Sequence, residues 1–94
     1  PINDWNKPNY WLSCITVSGK VKPIEIMESL EKDNIETRPI WKPMHMQPYF
    51  EGYDFIGEGV SEKIFESGVC LSSDTKMTDG DIERITTVIK LLWK

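Results

Sequence analysis

The chain has 94 residues, 39% of them hydrophobic and 28% charged, with 15 acids against 11 bases for a net charge of −4. That composition fits one soluble domain with one modest core, and the scattered bases form none of the stripes that displace phosphate counterions, which excludes a nucleic-acid partner. No run approaches the roughly 18 apolar residues of a membrane span and no basic-then-apolar leader opens the chain, so the expected location is cytoplasmic.

Residues 1–9 are rich in Asn, Pro and Lys and read as an entry segment. The opening Pro1-Ile2-Asn3-Asp4-Trp5 looks like a point within a longer protein, or a start from which Met has been removed. Tyr10 to Val17 (YWLSCITV) carries aromatic and β-branched residues with no Pro or Gly, which predicts a strand. Its apolar residues fall on both faces, as in a strand covered on both sides. Ser18-Gly19-Lys20 is a turn. Pro23 suits the first turn of a helix, with Ile26, Met27 and Leu30 as its apolar stripe. Asp33-Asn34 closes that helix, Asn being able to take the left-handed conformation. Ile35 to Arg38 predicts a short second strand that Pro39 ends or holds at an edge.

Residues 39–59 (PIWKPMHMQPYFEGYDFIGEG) hold three prolines, three glycines and five aromatics. A loop of that length in a small domain is functional or rests on a partner surface. Ser61 is the expected N-cap of a short helix carrying Ile64 and Phe65, with Gly68 as its left-handed stop. Val69-Cys70-Leu71 reads as an edge strand. Thr78-Asp79-Gly80-Asp81 resembles a capping box, and Ile82, Ile85, Ile89 and Leu92 repeat as the buried face of a final helix. The order predicts a single α+β domain over residues 1–94, its small mixed, mainly antiparallel sheet carrying helices mostly on one face. Cys14 and Cys70 lie in short apolar runs and are expected as free thiols. Neither has the close-spaced second ligand of a metal site, so no metal is expected.

Residues 38–48 (RPIWKPMHMQP) resemble a signature segment of the DegT–StrS family of sugar-nucleotide aminotransferases. The flanks agree in order: Asn9-Tyr10-Trp11-Leu12, the stretch Ile24 to Ile35 (IEIMESLEKDNI), and Ser61 to Thr78 ending in GVCLSSDTKMT. The resemblance spans residues 9–92, with Ser72 standing where the family usually has Pro. It implies the small C-terminal domain of a fold-type-I enzyme, joined to a large domain that binds pyridoxal phosphate, in a homodimer. It further implies transfer of an amino group, usually from glutamate, to a keto sugar on a nucleotide carrier. The nine lysines include none in the family's Schiff-base context, and no glycine-rich loop opens a helix to hold phosphate, so no catalytic or cofactor-binding residue is expected here.

Four residues are expected to face substrate: Arg38, Trp41, Lys42 and His45. Trp41 offers a flat face for a base or sugar, or is a buried anchor. Lys42 offers a point charge for a diphosphate, or is merely solvated. Arg38 binds a carboxylate or phosphate, or pairs with a neighbouring acid. His45 lies in the active-site cleft under the resemblance, or is satisfied by a backbone carbonyl. Tyr49, Phe50, Tyr53 and Phe55 are expected to pack on the large domain or on a second subunit. The alternative is a free-standing binding or regulatory module using the loop 39–59, which would fold its aromatics inward.

Overall fold

A computed structural model describes residues 2–94. In chain order it contains β1 (Ser13–Thr16), α1 (Pro23–Lys32), β2 (Arg38–Pro39), α2 (Val60–Ser67), β3 (Gly68–Leu71) and α3 (Asp79–Leu91). Two single 3₁₀ turns, Met44–Met46 and Pro48–Phe50, punctuate the long loop. The α+β class is as expected, with both ladders antiparallel.

The sheet order is β1-β3-β2, so β3 is the central strand and not an edge. Three apolar residues suffice there because both of its faces are covered, Val69 on one side and Cys70 on the other. In register, Ile15 faces Val69 and Cys14 faces Cys70 across one ladder, while Arg38 faces Cys70 across the other. Directly paired residues share a face, and alternate residues share it along a strand. One face therefore carries Ile15, Val69 and the helices α1 and α3. The other carries the row Cys14, Cys70, Arg38.

On the helical face, Ile26 and Leu30 of α1 are fully buried against Val69, and Ile85 of α3 closes the cluster. Ile15, Leu71, Val88, Ile89 and Leu92 pack around it. Ile82 does not join them. It is half exposed, on the first turn of α3. Pro23 occupies the start of α1, where Glu25 accepts the Lys22 backbone N–H at 2.7 Å. Asn34 ends that helix at φ 64°, as its side chain suggests. The Thr78 box forms as expected: Asp81 N–H donates to the Thr78 hydroxyl at 3.3 Å, and Thr78 N–H to the Asp81 carboxylate at 2.8 Å.

Three other boundaries differ from the pattern in the sequence. β1 begins at Ser13 because Tyr10 adopts a φ of 53°, and Asn9 turns the chain by accepting the Trp11 N–H at 3.2 Å. Its groove-side Cys14 is exposed, so the strand is not covered on both faces. β2 is only Arg38–Pro39, since Pro39 has no N–H with which to continue the ladder. α2 is capped by Gly59 at φ 75°, a conformation Ser61 would adopt only with strain, and Ser61 lies inside the first turn.

Gly68 is not a left-handed stop; its φ is −101° and it already belongs to β3. Glycine is needed for closeness: a Cβ there would lie 2.3 Å from Ile40 Cγ1 and 2.6 Å from the Ile64 carbonyl oxygen. α2 thus runs into β3 without a loop, and Val17 N–H reaches the Ser67 carbonyl at 2.8 Å to extend the ladder.

The radius of gyration is 15.6 Å. A compact chain of this length is expected at roughly 12–13 Å. Parts of the molecule therefore reach away from the core.

Candidate substrate-binding groove

The sheet face without α1 and α3 floors a groove of about 860 Å³. Trp11, Arg38, Trp41, Lys42, Phe65 and Cys70 are among the residues lining it. The rings of Trp11 and Trp41 stand 6.1 Å apart at an interplanar angle of 49°. Both are largely exposed, so Trp41 is not a buried anchor. Ser73 holds the Trp11 side of the groove by donating its hydroxyl to the Trp11 carbonyl at 2.8 Å. Ser72 donates to the Glu36 carbonyl at 2.7 Å, a bond that a proline there could not make.

Lys42 is exposed, and the Gln47 side-chain amide donates to its carbonyl at 3.3 Å, which steadies the backbone behind it. Arg38 pairs with Glu36. Both side chains are mostly in water, so the pair contributes little and the guanidinium remains free to exchange partners. Two tilted indole faces beside two cations can hold a flat ring joined to an anion.

His45 is not in this groove. The buried Pro43 separates it from Lys42, and it lines a second hollow of about 380 Å³ with Phe55, Gly59 and Ile64. Its partner is a carboxylate and not a backbone carbonyl: Nε2 lies 2.6 Å from Glu62 Oε1. The ring also stacks on Phe55, centroids 3.8 Å apart and planes 6° from parallel. With Nε2 engaged by Glu62, Nδ1 is the ring nitrogen left without that carboxylate as partner. The backbone N–H of Glu62, and then the His45 ring, hold the Glu62 carboxyl below the usual carboxylate range. Its Oε2 is buried with no protein partner.

Of the four expected residues, the fold gathers Arg38, Trp41 and Lys42 and sets His45 apart. Sequence reasoning missed Trp11, Glu62 and the stacking role of Phe55. Trp11 was visible only as a strand aromatic, and Glu62 lies 17 residues from His45 with no local motif joining them.

Cys14 and Cys70 are both free thiols, with sulfurs 3.3 Å apart. Burial, reinforced by the Cys14 sulfur, pushes the Cys70 thiol up from 9.0 to about 11. Folding therefore favours its protonated form. That stabilisation is complete below about pH 9 and is lost as pH rises towards 11. Urea unfolding is expected to show a lower midpoint at about pH 10.5 than at about pH 8. The fall should be smaller in Cys70→Ala; an identical fall in both proteins would place its origin elsewhere.

The residues present do not fit a phosphorylated pyridine cofactor. The first turns of α1, α2 and α3 carry Glu25, Glu62 and the Asp79–Asp81 pair, which repel a phosphate from the helix starts. Every lysine is exposed, so none is held in a desolvated pocket. No helix among the described residues is long and apolar enough to cross a membrane. No group of three or more His, Cys, Asp or Glu side chains among them could hold a metal ion.

The small antiparallel α+β domain is the fold class that the order of elements in the sequence predicts. The chain belongs to the DegT/DnrJ/EryC1/StrS aminotransferase family, which it matches over residues 1–90. It is 36% identical over 85 residues to the Bacillus subtilis (strain 168) protein named "Putative pyridoxal phosphate-dependent aminotransferase EpsN". That alignment takes in 86% of this chain and 22% of the relative, so the chain spans about a fifth of the relative's length.

Proposed function

We propose that this chain is the substrate-facing C-terminal domain of a pyridoxal-phosphate-dependent aminotransferase acting on a nucleotide-linked keto sugar, with glutamate as amino donor. The reading rests on family membership together with one observation, the groove that sets Trp11 and Trp41 beside Arg38 and Lys42. In it the indoles take the base, and the two cations take the diphosphate. His45, oriented by Glu62 and Phe55, presents Nδ1 to the reacting end of the sugar from the adjoining hollow. The cofactor and its Schiff-base lysine belong to the remainder of the polypeptide, and these residues alone are catalytically inactive. Exposed Tyr49, Tyr53 and Phe55 then rest on that remainder or on the second subunit of a homodimer. A free-standing module would have turned these rings inward, and their exposure argues against that alternative.

The test is made in the full-length enzyme. Lys42→Ala is expected to raise KM for the sugar nucleotide about tenfold and leave kcat nearly intact, the pattern of lost uniform binding. The loss should shrink at high salt, because Lys42 is exposed. His45→Ala is expected to lower kcat more than it changes KM, and to slow the half-reaction with the sugar more than that with glutamate. Equal and small effects of both substitutions would leave the loop a purely structural role and sink the reading.

A further inference from the structure

We propose that Cys14 and Cys70 form a peroxide-sensitive dithiol, oxidised to a cross-strand disulfide between β1 and β3 whose Cys70 end lines the groove. The two residues are direct register partners in β1 and β3, which places both side chains on the same face, and their sulfurs already lie 3.3 Å apart. Bridging them requires no change of register, because directly opposed strand residues meet the Cα and Cβ separations a disulfide needs. Their environments also differ in the way a stepwise oxidation requires. Cys14 is exposed and open to a small oxidant. Cys70 is 5% exposed and retains its proton at neutral pH. One sulfur is thus available for attack while the other waits beside it.

In the first step the Cys14 thiolate attacks one oxygen of hydrogen peroxide. The O–O bond breaks, Cys14 becomes a sulfenic acid, and hydroxide leaves. In the second step the Cys70 sulfur attacks the Cys14 sulfur and the S–O bond breaks. The hydroxyl leaves with the Cys70 proton as water. Together the two thiols give up two electrons and two protons, and one peroxide becomes two waters. The buried thiol reacts slowly on its own, but at contact distance it needs no encounter with solvent. The resulting link fixes β1 to β3 at Cys70, which lines the same groove as Trp11 and Trp41, so the groove that takes the ligand also registers the oxidant. Nothing in this depends on which ligand the groove holds.

The experiment treats the reduced protein with hydrogen peroxide, blocks remaining thiols with iodoacetamide, and maps the peptides by mass spectrometry. The expected product is a single linked pair of peptides joining Cys14 to Cys70, lighter by two hydrogens and restored by a phosphine reductant. In Cys70→Ser, Cys14 should stop at a sulfenic acid that dimedone traps. In Cys14→Ser, Cys70 should remain unoxidised. Two wild-type results would overturn the proposal: both thiols surviving excess peroxide, or Cys14 advancing to sulfinic acid while Cys70 stays alkylatable. These need no variant, so the inference stays testable if either serine protein fails to fold.

Discussion

Leu30→Ala is expected to lower the unfolding free energy by about 2–5 kcal/mol, the range for buried large-to-small changes. Leu30 is fully buried and lies one helical turn beyond Ile26, with Val69 against both. Alanine keeps the helix propensity of α1, so the loss falls on packing and on the cavity left behind. In a domain whose total stability is about 5–15 kcal/mol, that change removes a large share of it. Ile82→Ala provides the contrast within the same experiment. Its side chain is half exposed, and the expected cost is below about 0.5 kcal/mol for loss of packing. Denaturant unfolding of the two variants measures both. A Leu30→Ala cost as small as that of Ile82→Ala would mean that α1 does not pack on the sheet as described.

Gly68→Ala is expected to cost about 3 kcal/mol, at the upper end of the range for overpacking. The backbone at this position has φ −101°, which alanine adopts freely, so the cost is steric and not conformational. The new methyl meets two atoms. Ile40 Cγ1 at 2.3 Å belongs to a side chain that can turn away, but the Ile64 oxygen at 2.6 Å is backbone of α2 and cannot. Ile40→Ala is therefore expected to rescue only part of the loss in the double variant, measured as a double-mutant cycle. Full rescue would show that α2 yields where it joins β3. No loss at all would place Gly68 outside the close approach between α2, Ile40 and the sheet.

The helices were legible in the sequence because their signals are local. Ile26 and Leu30 repeat within one turn of a helix, Pro23 and Asn34 mark its ends, and Thr78 with Asp81 opens the last helix. The strands were legible as strands but not in their extent or order. A strand ends where its partner ends, and β3 could not be read as central until β1 and β2 were known to flank it. The groove followed the same division. Trp41, Lys42 and Arg38 were found by residue type within one segment. Trp11 and Cys70 joined them only through the sheet, and the separation of His45 follows from the buried Pro43 and the remote Glu62.

The sheet order also sets a timetable for synthesis. The strand that pairs with both others is the last of the three to be made, so β1 and β2 leave the ribosome with nothing to bond to. The 51 residues between β1 and β3 take about 3–10 s to translate at ordinary elongation rates. Through that interval Ile15, Ile26 and Leu30 have no Val69 to close on. A nascent chain halted before Gly68 holds two helices and two unpaired strands with no central strand to join them, and becomes a candidate for chaperones.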